Sequence, residues 1–175
     1  MSRSLNWALA FVTGALLILT FPNFNWTWLA PVALTPLLIV CARESSWKRR
    51  FLLGWSAGFV FWFGVCYWIQ FVLEVHGGMG RWGGWGTFVL FSILKGLHMA
   101  IFATIAGVFM RKSWAVPAVA ALWAGIERTH GPAGFAWLDL GNAGIDMASP
   151  GENPCMPPIV LEELTRVIER GAMPS

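Results

Sequence analysis

The sequence predicts an all-α polytopic membrane helix bundle of about five transmembrane helices, followed by a short amphipathic C-terminal tail. Three observations carry that reading. Hydrophobic residues fill 57% of the 175 positions and charged residues only 12%, about half the charge a soluble domain of this size uses to cover its surface. The mean hydropathy is correspondingly high, at +0.61. The apolar residues also come in long runs separated by short polar clusters, and the basic residues gather in those clusters.

Taken in order, the first run is Leu5 to Phe21, at the short end of what spans about 30 Å of hydrocarbon. Arg3 ahead of an apolar stretch imitates a secretory signal, but Phe21-Pro22-Asn23 follows where a small-residue cleavage site would stand, so a retained first helix is expected. After the turn at 22–25, the second run, Trp26 to Ala42, contains Pro31 and Pro36. Prolines are tolerated in membrane helices where neighbours satisfy the freed carbonyls. A polar cluster, residues 43–50, precedes the third run, Phe51 to Val75. The fourth extends from about Gly84 to Met110 and stops at Arg111 and Lys112. The fifth, Trp114 to Ile126, is short, and either spans with Lys112 and Arg128 snorkelling or forms a tilted or re-entrant segment.

Residues 1–148 form the expected transmembrane domain. Residues 149–175 form a Pro-rich linker and then a short amphipathic helix or disordered tail. Val160, Leu164, Val167 and Ile168 mark the apolar face of that helix. With the N-terminus inside, the inner segments carry Arg3, Arg43, Lys48, Arg49, Arg50, Arg111 and Lys112. The outer loops through the fourth helix carry only Arg81. That asymmetry predicts a cytoplasmic N-terminus. It also puts residues 76–83 and the stretch after Glu127 outside. Trp7, Trp26, Trp28, Trp82, Trp85 and Trp114 lie near run ends, where an indole suits the headgroup zone.

Several function classes are disfavoured. The net charge of +3 is small and clustered between spans, so no nucleic-acid partner is expected. Cys41, Cys66 and Cys155 are odd in number and irregularly spaced, which indicates neither a disulfide framework nor a zinc site. They read as buried small hydrophobes, and no metal or cofactor is expected. G-x-S-x-G and H-E-x-x-H are absent, and no cysteine has an activating base nearby in sequence. Residues 78–83 match G-x-G-x-x-G formally. A dinucleotide site needs a strand before that motif, whereas here it joins two membrane runs and reads as a tight external loop. Gly54-x-x-x-Gly58, with Ala100, Ala103 and Gly107, fits close helix packing.

The chemistry-bearing candidates are ionisable residues near or within the runs. Lys95 and His98 are three apart on one helix face, Glu74 closes the third run, and Glu127 closes the fifth. A charge in lipid is costly, so such groups usually face a bundle interior or wet cavity. They line either a polar pocket for a headgroup or substrate, or a pair that only fixes packing; for Glu74 and Glu127, interfacial solvation is the ordinary alternative.

The order of segments resembles the N-terminal membrane portion of bacterial apolipoprotein N-acyltransferases. The resemblance covers about residues 5–147. It rests on Leu19-Thr20-Phe21-Pro22, Trp28-Leu29-Ala30-Pro31 with Pro36-Leu37-Leu38, Gly58-Phe59 through Tyr67-Trp68, and Gly77-Gly78-Met79. Its strongest part is Ala121-Leu122-Trp123 with Glu127, followed by residues 134–141. Ala136 stands where the family has Pro, and His130 where it has Arg.

The resemblance implies lipoprotein N-acylation in the bacterial inner membrane, with membrane phospholipid as acyl donor. A lipoprotein substrate or a separate catalytic polypeptide would be the further partner. In that scheme Glu74, Lys95, His98 and Glu127 line a lipid-entry cavity and none is the nucleophile. Family members carry a Glu-Lys-Cys triad in an external nitrilase-like domain, which these residues do not match. A truncated or split form, inactive alone, is therefore expected; a non-enzymatic lipid- or partner-binding membrane module is the alternative.

Overall fold

The computed structural model describes residues 3–21 and 24–129. The tail helix, the linker at 149–154, Cys155, and the motif at 134–141 lie outside the described residues. Among those described, seven α-helices and one 3-10 turn form a bundle without strands.

Helix α1, Arg3–Thr20, buries Asn6, Ala10, Thr13, Gly14, Leu17 and Thr20, the three-to-four spacing of one face. Its hydroxyls are satisfied within the helix: Thr13 Oγ1 donates to the Leu9 carbonyl at 3.0 Å, and Thr20 Oγ1 to that of Leu17 at 2.7 Å. The second apolar run is not one helix. It divides into a 3-10 turn at Thr27–Leu29, α2 at Ala30–Ala33 and α3 at Thr35–Arg43. Pro31 and Pro36 each stand in the first turn of their helix. There the missing N–H costs nothing, whereas in the middle of a single continuous helix Pro36 would displace one backbone hydrogen bond.

Helix α4, Trp47–Val65, starts after Ser46, whose own side chain makes no cap. Just ahead of the helix, the Glu44 carboxylate accepts from the Ser46 N–H at 3.4 Å. The third run also breaks: α5, Trp68–Val75, leaves α4 at a bend of 58°. Helix α6, Gly80–Phe109, is the longest element, and α7, Ala115–Arg128, returns along it. Ring pairs Phe109–Trp114, at 5.3 Å, and Phe102–Trp123, at 4.9 Å, fix the antiparallel pairing of α6 and α7.

Helices α1 and α6 are each long and apolar enough to cross a membrane, and α4 with α5 makes a third crossing if the bent pair counts as one. The α2–α3 and α7 segments are apolar but too short to cover about 30 Å unaided. The glycine-rich stretch is also less of a loop than its composition suggests. Gly78 and Gly80, at φ of +63° and +67°, make the turn, and the chain is helical from Gly80 onward. A helix, α5, precedes the G-x-G-x-x-G match, as the membrane reading requires.

The core centres on the fully buried Leu17, Leu37, Leu53, Trp62, Phe88 and Phe102. Its densest seam is α4 against α6. A Cβ on Gly54 would meet Ala103 Cβ at 2.5 Å and the Met99 carbonyl oxygen at 2.6 Å. One on Gly58 would meet Met99 Cβ at 2.7 Å and the Gly96 carbonyl oxygen at 2.9 Å. Backbone-to-backbone approach of this kind is what small residues permit in lipid, where no hydrophobic force drives helices together. Of the six tryptophans expected at the interfaces, Trp7, Trp26, Trp28, Trp82 and Trp114 are exposed, Trp82 at 88%. Trp85 instead packs inward on Phe63 and Phe88.

Candidate functional site

The four residues singled out from sequence do not form one group. Lys95 sits on the buried face of α6, at 6% exposure, with its Nζ 4.9 Å from the centroid of the Trp62 ring of α4. A desolvated ammonium over an indole gains about 2 kcal/mol, and its position away from lipid is the one a membrane-depth cation takes. His98, one turn further on, is half-buried, and its Nδ1 lies 3.3 Å from the Lys95 carbonyl oxygen. The Phe102–Trp123 contact sets the level of α7. One turn back from Phe102 is His98, and one turn on from Trp123 is Glu127, so the antiparallel pair carries both to the same height.

Glu74 stands apart. It lies on α5 beside Gly84, where a Cβ would meet the Gln70 carbonyl oxygen at 2.8 Å and the Glu74 backbone nitrogen at 3.2 Å. Gly84 is eleven residues from Lys95 along α6, about 16 Å of helix rise. Lys95, His98 and Glu127 thus share a level, and Glu74 belongs to the far end of the bundle.

Among the described residues, two cavities bear on the search for a site. One, of about 400 Å³, is lined by Arg3, Asn6, Arg43, Glu44 and Arg49 where the ends of α1, α3 and α4 meet. Within it Arg49 Nη1 pairs with Glu44 Oε2 at 3.2 Å, and Asn6 Nδ2 donates to the same oxygen at 3.4 Å. The other, of about 350 Å³, is an apolar groove between α2–α3 and α6–α7, lined by Pro31, Leu38, Phe102, Val119 and Trp123 among others. The nearby Arg50, at 8% exposure, is pressed against Gly107 of α6.

Sequence reasoning missed Asn6, Trp62 and Arg50. A lone amide inside an apolar run was the available signal for Asn6. Nothing in the sequence distinguished Trp62 from the eleven other tryptophans. Among the described residues no group of three His, Cys, Asp or Glu side chains is placed to hold a metal. Cys41 and Cys66 are buried, and Cys41 Sγ donates to the Ala103 carbonyl at 3.3 Å.

A helical bundle with apolar spans, a glycine-lined seam and a cation held at its core is a polytopic membrane protein. Over residues 13–149 the chain matches the sequence profile described as the apolipoprotein N-acyltransferase N-terminal domain, and it belongs to that family. It is 28% identical over 144 residues to the apolipoprotein N-acyltransferase of Geobacter metallireducens, an alignment covering 78% of this chain and 26% of that protein. The chain therefore spans about a quarter of the length of the curated relative it matches.

Proposed function

We propose that this chain is the membrane-embedded part of an apolipoprotein N-acyltransferase, acting in lipoprotein N-acylation with phospholipid as acyl donor. The observation that carries the reading is the family match over residues 13–149. The bacterial inner membrane follows from that activity. A cytoplasmic N-terminus is supported by the basic clusters at Arg3, at 43–50 and at Arg111–Lys112. Lys95, His98 and Glu127 are the polar group at membrane depth that meets the lipid substrate, with Glu74 near the outer mouth. The chemical step needs an activated thiolate. Cys41 and Cys66 are packed inside the bundle, so the nucleophile is assigned to a nitrilase-like region acting on this frame, either in the same protein or in a separate polypeptide.

The test is an acylation assay with a diacylated lipopeptide acceptor, in membranes of a host depleted of its own enzyme. This chain should be silent alone and active when co-expressed with a nitrilase-like domain. In the active pair, Lys95→Met and His98→Leu should each lower the rate about ten-fold or more, the equivalent of about 1.4 kcal/mol of barrier, at unchanged protein level. Turnover by this chain alone, lost in Cys155→Ala, would overturn the assignment of the nucleophile. Silence even with the added domain would favour a non-enzymatic lipid- or partner-binding module.

A further inference from the structure

We infer that the end of the bundle carrying the N-terminus holds a binding site for a phospholipid head group, separate from the Lys95–His98–Glu127 level. It takes a phosphodiester on Arg3, Arg43 and Arg49, and a head-group N–H or O–H on Asn6 and Glu44. These five residues line the cavity of about 400 Å³. Three guanidinium groups face one carboxylate, an excess of two positive charges around a space large enough for a head group. Arginine suits that task, because its planar fork binds two phosphate oxygens at once. The first turns of α1 and α4 border the cavity, and helix N-termini favour an anion.

Asn6 is the second, independent sign. It is 7% exposed and lines the cavity, and its Nδ2 is used on Glu44. Its Oδ1 is buried and meets no donor among the described residues. A buried acceptor left without a donor is destabilising and uncommon. Asn6 lines the cavity, and turning its amide so that Oδ1 meets a head-group ammonium or hydroxyl would satisfy it. Depth selects the lipid over a soluble phosphate. Exposed Leu5, Trp7 and Trp47 surround the same end, and exposed indoles beside arginines mark the headgroup zone. Basic pockets between membrane helices at that level bind lipid head groups.

The experiment is native mass spectrometry of the full chain in an uncharged detergent, offered phosphatidylethanolamine, phosphatidylglycerol, phosphatidylcholine or inorganic phosphate. The first two should be retained and phosphatidylcholine, which has no head-group donor, much less so. Arg43→Gln and Arg3→Gln should each lower retention about five-fold, the usual weight of one basic residue at a lipid surface. Asn6→Leu should erase the preference over phosphatidylcholine. Lys48→Gln, on the same face but outside the cavity, should change nothing. Arg3→Gln alters an exposed side chain in the first turn of α1, and keeps the test decisive if Arg43→Gln fails to fold. An equal loss in Lys48→Gln would reduce the site to general surface charge. Equal retention of phosphatidylcholine would remove the role of Asn6. Displacement of lipid by millimolar phosphate, with the same arginine dependence, would mean a free-phosphate site. Any of these three results overturns the proposal.

Discussion

Replacing Gly58 by Ala tests the α4–α6 seam directly. The new Cβ would stand 2.7 Å from Met99 Cβ, 2.9 Å from the Gly96 carbonyl oxygen and 3.0 Å from Gly96 Cα. Carbon atoms prefer about 3.5–4.0 Å, so the helices must part locally by about 0.7 Å. Two of the three obstacles are backbone, which no rotamer change removes. Overpacking of this kind costs about 1–3 kcal/mol. Gly54→Ala meets Ala103 Cβ at 2.5 Å and the Met99 carbonyl oxygen at 2.6 Å, on the same seam. One separation of α4 from α6 relieves both clashes, so the double variant should cost less than the sum of the singles, by about 0.5 kcal/mol or more. Gly86→Ala is the control. It lies in α6 with no atom within 4 Å of its Cβ, and should be neutral or gain about 0.5–1 kcal/mol from helix propensity. Reversible unfolding in mixed detergent micelles, followed by tryptophan fluorescence, reads all four variants. Gly58→Ala as stable as Gly86→Ala, or strict additivity of the pair, would show that the seam is not close-packed.

Two further outcomes are expected. In a Cys155→Ala background, Cys41 and Cys66, at 1% and 0% exposure, should resist a membrane-permeant maleimide until the protein is unfolded; rapid labelling, followed by mass, would contradict their burial. Gly107→Ala should destabilise the bundle because its Cβ runs into the Arg50 guanidinium, by about 1–3 kcal/mol. In an Arg50→Ala background the obstacle is gone and Gly107→Ala should add little, a coupling that a double-mutant cycle measures.

The membrane bundle was legible because lipid imposes a coarse code: long apolar runs, basic clusters on one side, small residues where helices touch. Helix α1 and the body of α6 follow it, and Gly54 and Gly58 sit where their spacing suggested. The break at Cys66–Tyr67 was not legible. Neither proline nor glycine occupies it, and what it does is visible only in three dimensions: the bend brings α5 onto α6 at Gly84. The divided second run was half-legible, since Pro31 and Pro36 were visible but tolerance and breakage look alike in sequence. Among the site residues, helical period paired Lys95 with His98. Only the α6–α7 packing brings Glu127 to their level and leaves Glu74 behind. Asn6 was one amide in an apolar run, and its meaning depends on Glu44, thirty-eight residues away.

The length of α6 has a mechanical consequence. Thirty residues of helix measure about 45 Å, against about 30 Å of hydrocarbon. Hiding all of it would need a lean of nearly 50°, beyond the roughly 0–40° that membrane helices adopt. At the 40° limit about 34 Å of rise remains, so at least about one turn must leave the hydrocarbon for the headgroup zone. Arg81 and the almost fully exposed Trp82 are in the first turn at the end opposite the basic clusters. That end is a stiff post braced by α5, so a body resting on it would be held at a fixed distance from the hydrocarbon.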